Sequence, residues 1–299
     1  MKKTIIFIIS IIFIIASTGL LMTGFMKKDA QKNTKTGNSK IHVPQIPFDL
    51  TKPVKKIKLP YELTEISALS HYGPKRIACI HDEKADIFMV DYNTEKIHEK
   101  FTLARQGDYE GVEIVDNTAY LLKSNGLLVK IIDFTKNSRI ITKHKTGLTS
   151  KNDCEGLGFD KKSNKLLIVC KNSPNMVNST IKYKNKRAVY EYDIIKDELN
   201  KQAKFLLNLK EIEKKTGKKK FMPSGIAVHP ITNNIYITAS VGNLLIILNP
   251  KGSIIDFAIL DSKTFRQPEG ICFSPDGKKL FISNEGKSKK GNILIFNHL

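Results

Sequence analysis

Residues 153–160 read DCEGLGFD: two carboxylates flank a cysteine, and a glycine follows at once. Acids are the minority charge in this chain, with 29 Asp+Glu against 49 Lys+Arg. The stretch recurs as DYEGVEIVD from Asp108, PSGIAVHP from Pro223, PEGICFSPDG from Pro268 and, more weakly, EISALS from Glu65. Aligned on the residue before the small one, the anchors are Ser67, Glu110, Glu155, Ser224 and Glu269. They are spaced 43, 45, 69 and 45 residues apart. A period near 45 with several short strands per unit marks a β-propeller blade.

Each unit repeats more than its anchor. A second strand follows after a turn (RIACIHDE, TAYLLKSNG, KLLIVCKN, NIYITASVG, KLFISNEG), then a third (IFMVDY, LVKIIDF, AVYEYDI, LLIILNP, ILIFNHL). Fourth strands are read in KIHEKFTL, SRIITKHK, AKFLLNL and SIIDFAIL, and the fifth unit lacks one. VKKIKL, residues 54–59, supplies it from the other end of the propeller and closes the ring, which leaves no open edge between first and last blades. The fold expected is therefore all-β, a five-bladed β-propeller over residues 51–299. The 69-residue interval is assigned to insertions in blade three, NSPNMVNSTIKYKNKR and KEIEKKTGKKKF, the latter able to form a short helix. No further anchor lies between Glu155 and Ser224, and a degenerate sixth blade stays open as the alternative.

Lys2 and Lys3 precede an uncharged apolar run over residues 4–26, and Lys27 and Lys28 follow it. At about 1.5 Å per residue such a helix spans roughly 34 Å, enough for a bilayer core. Residues 1–26 are read as a single N-terminal membrane anchor or signal segment, with cleavage near Ser17-Thr18-Gly19 the other option. Residues 27–50 form a polar tether. The body is then expected outside the cytoplasm, periplasmic or extracellular. The net charge of +20 comes from lysine runs without interleaved aromatics, so a solvated surface is expected rather than nucleic-acid binding. Four cysteines without a CxxC pair argue against structural zinc. Cys154 and Cys170 fall nearly opposite each other in a hairpin, leaving a cross-strand disulfide and buried free thiols both open.

The ordered set EISALS, DYEGVEIV, NDCEGLGFD with LLIVCKN, PSGIAVHP and RQPEGICFSPDGKKLFISNE resembles the SdiA-regulated, YjiK-like family of bacterial propellers, distant relatives of NHL-repeat propellers. The resemblance covers about residues 50–299. It implies an N-terminal membrane segment or signal, five blades and a calcium ion at a recurring site, but no known reaction.

First strands line a propeller's central channel, and residues two apart on a strand share a face. Glu65/Ser67, Asp108/Glu110, Asp153/Glu155, Met222/Ser224 and Gln267/Glu269 should then point together, bringing six carboxylates to one end of the channel. Like charges so crowded need a cation or protons. Several oxygen ligands from different blades suit Ca²⁺ better than Zn²⁺ or Mg²⁺. The ligand candidates are Glu110, Glu155, Glu269, Asp108 and Asp153; alternatively these acids accept backbone hydrogen bonds from the next blade. Ser67 and Ser224 replace Glu at two anchors, which predicts an ion site on one side of the channel. The glycine after each Glu permits close approach of neighbouring backbones at the axis. His81 is the one histidine placed for chemistry near the acids.

These readings converge on a monomeric, membrane-tethered calcium-binding module, recognising a small molecule or protein at its channel face. The rival is a calcium-dependent hydrolase of lactonase or phosphoesterase type, with His81 as its catalytic candidate. A third option is docking of the basic surface on anionic envelope polymers, which salt would weaken.

Overall fold

The middle strands of each unit carry branched and aromatic residues with little polar alternation, the pattern of strands covered on both faces. They are covered so in the computed structural model, which describes residues 44–103, 105–176, 179–180 and 182–299. Blade one comprises β2 (Ile66–Tyr72), β3 (Arg76–His81), β4 (Asp86–Asp91) and β5 (Lys96–Thr102). Blade two comprises β6 (Tyr109–Val115), β7 (Thr118–Lys123), β8 (Leu127–Ile132) and β9 (Ile140–Lys145). Blade three holds β10 (Cys154–Asp160), β11 (Lys165–Cys170), β12 (Lys186–Asp193) and β14 (Phe205–Asn208), with the short β13 (Glu198–Leu199) also paired to β12. Blade four holds β15 (Met222–Val228), β16 (Ile235–Val241), β17 (Leu244–Leu248) and β18 (Ile254–Ile259).

Blade five consists of β19 (Pro268–Phe273), β20 (Lys279–Asn284) and β21 (Asn292–Asn297), completed by β1 (Lys55–Lys58). β1 runs antiparallel to β21, from Lys55 opposite Ile295 to Lys58 opposite Asn292. The expected closure is thus present, and the described residues form five sheets. The helix expected in the blade-three insertion is α1 (Leu209–Thr216). Asn208 caps it by accepting from the Lys210 amide, and Gly217 at φ 71° ends it. The span read as a membrane anchor lies outside the described residues. Among the described residues no helix is long and apolar enough to cross a membrane. At the near end of the body, Ile46 and Phe48 are buried, and Phe48 pairs with His298.

The core is divided into layers between successive blades. Between blades one and two, Ile80, Ile87 and Met89 meet Val112, Leu121 and Phe134. Between blades four and five, Tyr236, Leu245 and Ile247 meet Ile271, Ile282 and Phe296. Each such side chain, fully buried, contributes about 1.5–3 kcal/mol. The outer strands β5 and β9 are largely exposed.

The first strands depart from the alternation expected of them. Each is bulged at its anchor: the register skips between Ile66 and Ala68, Tyr109 and Gly111, Cys154 and Gly156, Pro223 and Gly225, and Pro268 and Ile271. The anchor is left without a cross-strand partner, so its direction is set by the bulge and not by a period of two. The small residue behind it closes the axis. A Cβ on Gly270 would lie 2.6 Å from the Leu69 nitrogen in the next blade, and one on Gly225 would lie 2.3 Å from the Glu269 carbonyl oxygen.

Candidate functional site

The bulges turn three glutamates from three blades toward one another. Glu110 on β6 feels the charges of Glu155, Asp108 and Glu269, and shares a side-chain hydrogen bond with Asp108. Glu155 on β10 and Glu269 on β19 are 6% and 8% exposed. Asp108 and Asp153 stand just before their strands, Asp153 at φ 56°. Asp153 is within electrostatic reach of Asp108 and shares a side-chain hydrogen bond with Glu155. All five acids singled out from the sequence therefore interact in one cluster.

Burial first, and the other acids second, push the Glu110 carboxyl up to about 10. Burial also raises Glu155, to about 7, even though Lys171 Nζ lies 2.8 Å from its Oε1. Glu269 is pushed well up by burial and then by Glu155. Asp153 is raised by burial, which outweighs the opposing charge of Lys171. Lys171, at the end of β11, is the resident cation of the cluster. It came to its place through the hairpin, where its amide donates to the Asp153 carbonyl at 2.7 Å.

The serine anchors do something different. Ser67 Oγ donates to the Tyr109 carbonyl at 2.7 Å, and Ser224 Oγ to the Pro268 carbonyl at 2.6 Å. Each ties its blade to the next just before that blade's own anchor. The bracing role considered for the acids falls to a residue that motif reading passed over, Glu113 on β6. Its Oε2 accepts from Ser70 Oγ of blade one at 2.8 Å, and its Oε1 accepts from the Phe159 amide of blade three at 3.2 Å. Burial raises its carboxyl to about 7 despite these bonds. A signal existed: three residues past the anchors stand Ser70, Glu113, Gly158, Ala227 and Cys272, and Glu113 is the single charged member.

A second group stands beside the first, linked to it by the charge of Glu285 on Glu269. The ligand atoms of Glu65, His81 and Asp82 all fall within 4.8 Å of one another. His81 is 6% exposed at the end of β3. Glu285, just past β20, is raised by burial and then by Asp82 and Glu65, and accepts from Gln267 Nε2. Glu65, placed by sequence with the other acids, belongs to this group instead. His229 is a structural residue by its contacts: Nδ1 accepts the Ile231 and Thr232 amides at 3.3 and 3.2 Å, and the ring packs 4.9 Å from Phe273.

Cys154 and Cys170 do face each other across β10 and β11, as free thiols buried between Asp153, Glu155 and Lys171.

Both groups, taken as donor sets, can hold cations: one through oxygen alone, the other through oxygen and imidazole. A family model described as SdiA-regulated matches residues 40–288. None of the curated proteins matches the chain. Among solved structures, virginiamycin B lyase from Staphylococcus aureus is similar at 16% identity and a TM-score of 0.46, over 81% of this chain and 69% of that one. A luciferin-regenerating enzyme is similar at 12% identity and a TM-score of 0.48, over 78% of each chain. Aldose sugar dehydrogenase from Streptomyces coelicolor is similar at 13% identity and a TM-score of 0.47, over 82% of this chain and 97% of that one.

Proposed function

The chain belongs to the SdiA-regulated family, and from that membership we propose a recognition module whose acidic channel mouth takes up Ca²⁺. The observation that carries the reading is the meeting of Glu110, Glu155 and Glu269 from three blades, with Asp108 and Asp153 beside them and Lys171 as counter-ion. The donor set fits the ion. It is all hard oxygen, buried or half-buried except at the exposed Asp108, and drawn from separate elements that allow a high, flexible coordination number. Glu110, Glu269, Asp108 and Asp153 would hold the cation, with Glu155 sharing its second oxygen while Lys171 keeps the first. A bound dication would neutralise carboxyls that otherwise hold protons, and so fix three blades around one point.

The apolar run over residues 4–26 would tether the module to a membrane with the propeller outside the cytoplasm. Its ligand would meet the polar rim around the mouth.

The test is thermal unfolding of the full-length chain with Ca²⁺ or with EDTA, wild type beside Glu269→Gln. A site filled to about 100 times its dissociation constant adds about 2.7 kcal/mol. For a body of this size the melting temperature then rises by about 5–10 °C. A wild-type rise that the variant lacks supports the reading. Equal curves with and without Ca²⁺ would remove it.

A further inference from the structure

The group of Glu65, His81 and Asp82 sets one buried imidazole between two carboxylates. His81 Nδ1 lies 2.9 Å from Asp82 Oδ1. The Glu83 amide reaches both, at 3.1 Å to Nδ1 and 2.6 Å to Oδ1. If Nδ1 carried a lone pair, two acceptors would face each other at hydrogen-bond distance with one amide proton between them. A proton on Nδ1 removes the conflict. Nδ1–H then donates to Asp82, and the amide keeps its shorter contact, also to Asp82.

That tautomer turns the Nε2 lone pair toward Glu65 Oε2 at 3.5 Å. Two electron-rich atoms at this separation repel unless a proton or a metal ion lies between them. The spacing is that of adjacent ligands on one ion with bonds of about 2.0–2.2 Å. Asp82 behind the ring completes the carboxylate–histidine–metal arrangement that orients an imidazole ligand. Glu285, which accepts from Gln267, lies within electrostatic reach of both Asp82 and Glu65. Of these groups His81 is buried, while the side chains of Glu65 and Asp82 are 44% and 34% exposed, so an ion can enter from the mouth.

We propose that Glu65 Oε2 and His81 Nε2, with Asp82 orienting the ring and Glu285 beside them, form a second cation site for a first-row transition-metal dication of the Zn²⁺ class. Imidazole with carboxylate suits such ions, whereas the anchor cluster offers oxygen alone. With so few protein ligands, coordination positions stay open to water or to an anionic ligand in the mouth. This site does not depend on calcium at the anchors.

The probe is Co²⁺, titrated into the full-length chain in excess Ca²⁺ and followed by its visible d–d absorption. A saturable band displaced by Zn²⁺ is expected. His81→Gln should abolish it, and Asp82→Asn should weaken binding about 10–100-fold. Glu65→Gln changes an exposed side chain and keeps the fold, so it decides the matter if His81→Gln does not fold; it should weaken binding by a similar factor. Glu155→Gln should leave the band in place, which separates this site from the anchor cluster. No band in the wild type, or a band that Glu65→Gln and His81→Gln both retain, overturns the proposal. The first of those results would mean that a second proton on His81, and no metal, lies between the two atoms.

Discussion

A buried carboxyl that holds its proton in the fold and not in the unfolded chain makes stability depend on pH. Burial pushes the Glu110 and Glu155 carboxyls up to about 10 and about 7 from an ordinary 4.5. Their folded values are raised, so the stability these two groups contribute is fully present below about pH 4.5 and is lost as pH rises through the raised values. In EDTA the melting temperature should fall by several degrees between about pH 5 and pH 8. If Ca²⁺ binds the same carboxyls it must expel those protons, so saturating Ca²⁺ should flatten the slope, and calcium affinity should grow with pH. A slope that is the same in both conditions would count against cation and protons competing for these groups. Glu113 gives a separate test. Glu113→Ala leaves the Ser70 hydroxyl and the Phe159 amide without their acceptor, at a cost of about 1–3 kcal/mol. Glu113→Gln keeps an acceptor and should cost less, while removing the part of the pH dependence that lies between about 4.5 and 7. Both are read from urea midpoints against pH.

At the scale of elements, the joint between β1 and β21 holds the ring shut. Deleting residues 1–59 removes β1 and exposes the backbone edge of β21 from Asn292 to Ile295. An apolar edge of this kind pairs with other chains. The truncated chain is expected to associate, with a lower melting temperature, when measured by light scattering after size-exclusion chromatography. A monodisperse monomer with unchanged melting would show that closure contributes little. The bulged first strands make a second point. Gly270→Ala would drive a Cβ against the Leu69 backbone nitrogen, and overpacking of this kind costs about 1–3 kcal/mol. Blade boundaries, the closing strand and α1 were legible in the chain because each is a local pattern repeated or punctuated by turn residues. The bulges were not. A bulge is a mismatch between two strands, and a single strand's residues do not display its partner's register.

At the scale of the molecule, five inter-blade layers join into one ring, so an ion that ties blades two, three and five together should protect more than its own ligands. Hydrogen exchange with and without Ca²⁺ is expected to slow at the inner strands of all three blades. Protection confined to β10 and β11 would mean that the cation is held by blade three alone. The order of residues along the chain pointed to the architecture, since a fifth unit one strand short and a spare strand before the first unit close a ring, and the five sheets of the described residues then decided against a sixth blade. It also marked the five acids as candidates, three in the anchor column of the repeat and two placed two residues before it. Only the folded ring decided how those acids divide. Lys171 reaches Glu155 because a hairpin returns it there. Glu113 braces blades one and three because the ring sets blade two between them. Glu65 joins His81 and Asp82 rather than the anchors because a side chain answers to its nearest charges in space, and the ring chooses those neighbours.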